Sequence, residues 1–378
     1  MNFNSRSLLS YSNEINNTCG RVISSTIIPA SMATITNGFG ITTVEFNNQY
    51  NMLLNSLNAR RTELAQTLQS NLSQNPNYMG LRNAGVKLAW QYEKADIGMG
   101  GNGSANWTLD EQNQILNSKT GTVSGAEGHH QKNVVDHPEH QADPDNIKFF
   151  KSKQEHLQEG HDGNFQNESD SPMIDKNKML EHTNHKRVLL NEIRGASISA
   201  AIGFGVALTI SAVVELAMLG IETVEVDELI LHSLSAGIEG GTISTMVYCS
   251  GRMVSGFLQE HGVDLLTKAG ALVNYATVGA VSIALVSTIQ FIKMKLNGVD
   301  TCEALKQVGK NALFSSSILI VSIIAQGLYG GYAGLLVSTS IGLVVLTANV
   351  VSLTQKRKLN NKIKEYAIEE YKLIVLME

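Results

Sequence analysis

"GHHQKNVVDHPEHQADPDNIKFFKSKQEHLQEGHDGN", residues 128–164, contains six of the ten histidines of a chain of 378 residues. Neutral imidazole is a common metal ligand and a proton acceptor near neutral pH. Such a concentration of imidazoles therefore predicts a metal or acid–base site. The simpler interpretation, surface histidines in a polar loop, fits any single member of the set better than it fits all six.

The adjacent pair His129 and His130 is the most informative part of this segment. Neighbouring side chains of an extended strand point to opposite faces, so one ring can hold a metal while the other accepts a proton. Further ligands are available from His156 and His161, at the two ends of a predicted short helix, "SKQEHLQEGH". Metal-dependent hydrolysis of a phosphodiester needs this combination of ligands and base.

The order and spacing of these motifs resemble the HNH nuclease superfamily, and most closely its "GHH" branch in bacterial toxins and conflict systems. The resemblance is carried by Gly128-His129-His130, by "DPDNI" at 143–147, by "EHL" at 155–157 and by "GHDGN" at 160–164. "LAWQYEKADIGMGGNGSANWT", residues 88–108, is similar to the leader of that core. The similar region covers residues 88–190.

This resemblance implies a ββα-metal fold, in which a β-hairpin and one helix hold a single divalent ion, Mg or Zn. It implies that His129 is a metal ligand, that His130 is the general base and that Asn146 pins the hairpin loop so that His130 is oriented. It also implies that His156 and His161 complete the metal site.

One spacing departs from the family pattern. The usual helix pair is His-x3-His, whereas His156 and His161 are separated by four residues. On an ideal α-helix five residues leave two side chains about 140° apart. A helix that ends or bulges at Gly160 would let His161 return to the site, and Asn164 is the alternative third ligand.

The charge pattern gives weaker evidence for a nucleic-acid partner. The net charge of −5 excludes a generally basic protein, and residues 127–170 contain ten acidic residues and four lysines. Lys148, Lys151 and Lys153, just before the predicted helix, are the candidate phosphate-binding residues. The three cysteines are far apart and predict neither a disulfide framework nor a thiolate zinc site.

Composition divides the chain into five regions. We expect a poorly ordered N-terminus (1–41), a helical region (42–97), the HNH/GHH nuclease domain (98–190), a hydrophobic helical domain (191–355) and a charged C-terminal helix (356–378). Amphipathic spacing predicts helices at 42–72 and 79–97, and a capping box predicts one after Thr108. The fold is therefore predicted to be mainly α, with β-structure restricted to one hairpin between about 125 and 150.

The apolar region predicts either membrane-spanning helices or a water-soluble helical bundle. Residues 196–220, 269–292 and 311–353 carry one charge, Glu215. If 196–220, 269–292, 311–328 and 333–353 span, the basic flanks fall on one side and the acidic connection 221–268 on the other. That distribution obeys the positive-inside rule and places the nuclease domain in the cytoplasm, anchored in the bacterial inner membrane. A soluble cytoplasmic protein is the alternative.

Two functions remain open at this stage. The first is a metal-dependent endonuclease, DNA favoured, of a bacterial, phage or plasmid conflict system such as phage defence or a toxin. Its partners would be nucleic acid, the membrane and an immunity or regulatory protein, with a homo-oligomer left open. The second is a membrane-active or scaffold helical protein with a non-catalytic HNH-like module.

Overall fold

The computed structural model describes residues 27–72, 79–167, 170–219, 226–330 and 332–377. Its contacts divide the chain into two units: Thr43–Asn191, here the histidine unit, and Met1–Thr42 with Glu192–Glu378, here the apolar unit. In the described residues helices dominate and one two-stranded sheet is present. The predicted mainly α fold with a single small hairpin is confirmed.

The histidine unit places a hairpin and a short helix against longer helices. It contains part of α1 (Ile28–Asn71), α2 (Met79–Gly98), α3 (Leu109–Asn117), β1 (Glu127–His130), β2 (Ile147–Phe150) and α4 (Lys153–Glu155), which continues as a π turn (His156–Gly160), and the start of α5 (Lys176–Leu219). β1 and β2 are antiparallel, with His129 opposite Lys148. The predicted helix and hairpin are therefore adjacent, as a ββα arrangement requires.

Aromatic packing fixes the hairpin against α2. Phe149 of β2 lies with its ring centroid 4.0 Å from that of Trp90, which in turn lies 5.4 Å from the ring of Trp107. The three side chains are buried together with Ile115 of α3. The capping box predicted at the start of α3 is present, since Thr108 and Glu111 each bind the other's backbone N–H. Burial of several large rings stabilises the surface that carries β1 and β2.

A buried carboxylate organises the glycine-rich loop between α2 and α3. Glu93 accepts hydrogen bonds from the backbone N–H of Ser104 (2.7 Å) and from Nε1 of Trp107 (2.9 Å), and it pairs with the buried Lys176 of α5 (3.2 Å). A buried charge is tolerated when it is paired and hydrogen-bonded in this way. Glu93, which lies in the leader-like segment 88–108, thus connects α2 to the glycine-rich loop and to α5.

α1 begins earlier than its amphipathic pattern predicts. A poorly ordered region was expected to extend to residue 41, but α1 starts at Ile28; residues 1–26 lie outside the described part of the chain. Ile28 and Met32 are buried in the core of the apolar unit, and Ala33 is fully buried in a second cluster. Because the start of α1 is packed on several sides, its apolar residues do not follow a helical period. This packing outweighs the weak helix propensity of Ser, Thr and Gly.

The apolar unit is built from long helices. In addition to its parts of α1 and α5, it contains α6 (Val226–Glu260), α7 (Lys268–Leu296), α8 (Thr301–Tyr329) and α9 (Ala333–Met377). Four segments are long and apolar enough to cross a membrane: Lys176–Leu216, Lys268–Leu296, Thr301–Tyr329 and Ala333–Glu369. α6, which carries Glu239 and Arg252, is outside this set. α9 continues through the boundary expected at residue 355.

Close helix contacts and exposed apolar side chains both characterise this unit. A Cβ at Gly203 of α5 would lie 2.3 Å from the carbonyl oxygen of Gly240 in α6, so the two backbones approach too closely for a larger residue. Leu313, Leu328 and Val344 are 73%, 69% and 69% exposed. Small residues between helices and large apolar residues facing outward are compatible with helices packed in lipid.

Candidate metal centre

The π turn brings His156 and His161 onto the same side of their helix. A π turn closes i→i+5 hydrogen bonds, one residue longer than those of an α-helix, so residues five apart come close to alignment. The ring centroids of His156 and His161 lie 4.9 Å apart, and each lies about as close to the ring of His129, at 5.1 and 4.7 Å. The separation expected on an ideal α-helix is therefore not present.

These three histidines form a compact set of nitrogen donors. One ring nitrogen from each lies within 4.8 Å of the other two. Three imidazoles on a tetrahedral metal at about 2.0 to 2.1 Å place their nitrogens roughly 3.4 Å apart. The observed donor spacing is of the same order, with Nδ1 of His129 3.0 Å from Nε2 of His156. His161 lies with His129 and His156 in this set.

Hydrogen bonds define which ring nitrogens are available. Nδ1 of His156 donates to the Glu127 carboxylate (2.7 Å), and Nδ1 of His161 donates to the backbone carbonyl of Asn167 (2.8 Å). Both rings therefore keep Nε2 as a lone-pair donor. A carboxylate or carbonyl behind a ligating histidine fixes its tautomer and increases its basicity. The surroundings of these two residues fit metal ligation.

His129 is the most buried of the three and completes the set. It is 5% exposed, and its Nδ1 lies 3.0 Å from Nε2 of His156, to which it donates a hydrogen bond. Burial, together with the charges of His161 and His156, lowers the pKa of His129 to about 4. The ring is therefore neutral at physiological pH. For Nδ1 of His129 to ligate a metal, the neutral ring would carry its proton on Nε2 instead, which is a change of tautomer and not of charge.

Glycine at position 160 is required by this geometry. A Cβ there would lie 2.9 Å from Cδ2 of His156 and 3.3 Å from Nδ1 of His129. It would also come within 3.1 Å of the Phe150 ring. A side chain at this position would therefore press directly on two of the three candidate ligands.

His130 lies on the wall of the same cleft but has different partners. A cleft of about 280 Å³ is lined by Arg82, Gly128, His129, His130, Asn133, Val134, His156, His161, Phe165, Gln166 and Asn167. Nε2 of His130 donates to the backbone carbonyl of Gln141 (3.3 Å), which leaves Nδ1 as a proton acceptor. Burial, and then the charge of Arg82, lowers the pKa of His130 to about 4. The ring is neutral at physiological pH and can accept a proton.

Asn146 joins the two ends of the long loop between β1 and β2. Its Oδ1 accepts from the backbone N–H of Lys132 (2.6 Å), and its Nδ2 donates to the carbonyls of Lys132 and His140 (3.2 Å each). The side chain is fully buried. His140 directly precedes Gln141, whose carbonyl holds His130. Asn146 therefore holds the residue next to Gln141, and the Gln141 carbonyl orients the His130 ring.

The three candidate phosphate-binding lysines lie outside the cleft wall. Lys151 forms an ion pair with Glu111 (3.1 Å), while the ammonium groups of Lys148 and Lys153 lie over the rings of Phe150 and Phe165. In the described part of the chain, the cation on the cleft wall is Arg82. Sequence reasoning did not single out Arg82 or Glu127. Glu127 directly precedes the GHH motif, and this neighbouring position is the sequence feature from which Glu127 could have been identified.

Comparison with known proteins assigns this region to a class. Residues 78–151 match the model of the GHH signature containing HNH/Endo VII superfamily nuclease toxins, called Tox-GHH. The resemblance of this part of the chain to the GHH branch is therefore confirmed. The matched segment contains α2, the hairpin, His129, His130 and Asn146, and it ends before His156 and His161. No curated protein and no solved structure matches the chain.

Proposed function

We propose that the histidine unit is a metal-dependent endonuclease that hydrolyses phosphodiester bonds, with DNA as the favoured substrate. The observation that carries this proposal is the convergence of His129, His156 and His161 beside the separate base candidate His130. The match of residues 78–151 to nuclease toxins supports a nuclease-toxin-like function. HNH-type chemistry accounts for a three-histidine cluster and a neighbouring neutral imidazole in one cleft.

A transition metal such as zinc fits the donor set better than magnesium. Imidazole nitrogens suit zinc and related ions, whereas magnesium prefers oxygen ligands and retains several waters. When bound, such an ion would activate water and polarise the phosphate. X-ray absorption on the zinc-loaded protein should give imidazole nitrogens at about 2.0 to 2.1 Å. His161→Ala should remove one of them, and an oxygen-only shell would rule out this ligand set.

His130 is assigned the role of general base. Its Nδ1 accepts a proton from the attacking water, while Nε2–H remains bound to the Gln141 carbonyl. Protonation of Nδ1 produces an imidazolium that the same carbonyl stabilises. Asn146 is a positioning residue, because its hydrogen bonds hold the loop that presents Gln141. The two adjacent histidines therefore divide metal binding and proton transfer between them.

The apolar unit is proposed to anchor the nuclease in the bacterial inner membrane, with the histidine unit in the cytoplasm. The four apolar helices and the basic residues that flank them support this orientation. The system would be a toxin or another conflict element, including phage defence, that is kept in check by an immunity or regulatory protein. Self-association between apolar units is a further part of the proposal.

Plasmid nicking by the full chain, purified in detergent, tests this function. Supercoiled DNA should be nicked when a transition metal is present and should remain intact when a chelator is added. His137→Ala is the matched control, because His137 lies in the loop outside the cleft, and it should nick as the parent does. His129→Ala should not. A parallel assay with single-stranded RNA compares the two substrates. Absence of nicking with every metal tested would favour the membrane-active or scaffold alternative.

A further inference from the structure

We infer that Arg82 binds a backbone phosphate of the nucleic acid beside the histidine cluster. This inference rests on the proposed nuclease function and names the group that holds its substrate. Arg82 stands near the start of α2, far in sequence from the histidines, and its side chain lines the cleft that contains His129, His130, His156 and His161. The cleft thus combines a metal-ligand set, a neutral imidazole and one guanidinium.

Close packing of α2 on the hairpin loop explains how Arg82 reaches this position. A Cβ at Gly85 would lie 2.9 Å from the backbone of Ala142, so α2 touches the loop without an intervening side chain. Residues three apart share a face of an α-helix. Arg82 is therefore carried on the face of α2 that meets the loop next to Gln141, the residue that holds His130.

The guanidinium of Arg82 has no carboxylate partner among the described residues. Its hydrogen bond is to Sδ of Met79, at 3.7 Å, a weak acceptor. Arg61, in contrast, bridges Asp143 and Asp145 at 2.9 and 2.8 Å, and Arg252 is held by Glu192. Arg82 is half-buried, so its charge lies in a partly desolvated cleft without an opposite charge. Such a group favours an anionic ligand.

A phosphate in this cleft needs a cation from outside residues 127–170, because that segment is acidic. Residues 127–170, which supply the metal ligands and the base candidate, contain ten acidic residues and four lysines. Two of those lysines are engaged in ion pairs, Lys132 with Asp170 and Lys151 with Glu111. α2 supplies the missing charge. A planar guanidinium can donate two parallel hydrogen bonds to phosphate oxygens, which a lysine cannot do.

The binding test uses the full chain in detergent and a fluorescent 12-base-pair DNA duplex, with chelator present so that no cleavage occurs. Arg82→Gln should raise Kd about 10-fold or more, the usual effect of losing a charge-assisted hydrogen bond. It should also reduce the slope of log Kd against log salt concentration by about one. Arg82→Lys keeps the charge and should retain the slope while losing part of the affinity. Arg60→Gln is the matched control, because Arg60 binds Gln91 on the surface of the same unit and does not line the cleft.

Zinc affinity, measured in the same variants, separates phosphate binding from a structural role. Arg82→Gln should bind zinc as the parent does and should lower kcat/KM for duplex cleavage about 10-fold or more. An unchanged Kd and salt slope would overturn the inference, as would a loss of zinc affinity as large as that of His129→Ala. If the parent binds the duplex but cuts nothing, the proposed function fails while the salt slopes still decide the role of Arg82. If the parent does not bind the duplex even at low salt, both proposals fail.

Discussion

His129 and His130 are neighbours in the chain, but their partners give them different chemistry. Nδ1 of His129 faces His156 at 3.0 Å in a nearly closed environment, whereas His130 has one ring nitrogen on the Gln141 carbonyl and the other without a proton. Strand geometry alone predicts that the two rings point to different sides of β1. The partners of each ring come from residues 11 to 27 positions away, and no local pattern specifies them.

Protonation of these two rings should control the pH dependence of stability. Both have a folded pKa of about 4, lowered from 6.5 mainly by burial. Between these values the unfolded chain binds protons that the folded chain does not, so stability is present above pH 6.5 and falls as the pH decreases toward 4. Thermal unfolding of the metal-free protein between pH 7 and pH 4.5 measures this. His130→Asn should flatten the decline and the loop-residue control His137→Asn should not; equal curves for the parent and His130→Asn would refute the assignment.

The other residues of the site show which positions the sequence can identify and which it cannot. His129, His130, Asn146, His156 and His161 were all singled out as candidates from motif order, and the structure places the four histidines on one cleft. Arg82 was not found, since an arginine in an amphipathic helix is usually a solvated surface residue. Its position depends on the contact between Gly85 and Ala142, which only the three-dimensional packing reveals.

The π turn at His156–Gly160 is the element on which the candidate metal centre depends. An ideal α-helix would separate His156 and His161 by about 140°. The sequence indicated a helix and a glycine at the right places but could not specify how the backbone hydrogen bonds change there. π turns are rare and frequently occur at functional sites, so a propensity argument does not select one. Despite this spacing, the structure places the ring of His161 4.9 Å from that of His156.

Gly160→Ala should weaken metal binding through contact rather than through loss of a ligand. The added methyl group would lie 2.9 Å from the His156 ring and 3.3 Å from Nδ1 of His129, and would force both rings to shift. We expect zinc affinity to fall about 10- to 100-fold, the usual effect of misorienting metal ligands. Competition with a fluorescent chelator measures it. Gly98→Ala, in α2 with only a contact at 3.9 Å, is the control; equal affinities for the two variants would count against the site.

Composition predicts five regions, whereas the contacts divide the chain into two units. The change from polar, histidine-rich sequence to apolar sequence near residue 190 corresponds to a unit boundary between Asn191 and Glu192. The same reasoning did not foresee that residues 28–42 belong with the apolar unit. Those residues are separated from its other helices by about 150 positions, and their small and β-branched side chains give no periodic signal.

Lipid contact of the apolar unit is testable with two arginine substitutions. Val344 and Leu359 of α9 are both exposed, at 69% and 58%, but Leu359 lies in the basic segment "QKRKLNNKIK". An arginine in the centre of a spanning helix costs about 2.5 to 3.5 kcal/mol. Val344→Arg should therefore reduce the fraction of protein that resists carbonate extraction from bacterial membranes, and Leu359→Arg should not. Recovery of the parent protein as a soluble monomer would contradict the anchor.

The division of labour between the two adjacent histidines makes the most direct claim about function. The deciding measurement is the rate of plasmid nicking by His130→Ala at a metal concentration that saturates its site. With His130 as general base, metal binding should remain close to that of the parent while the rate falls by about 10² to 10⁴. His129→Ala, the comparison variant, should lose metal affinity and recover part of its activity as metal is raised. A His130→Ala protein that nicks DNA as fast as the parent, with metal bound, would contradict the account.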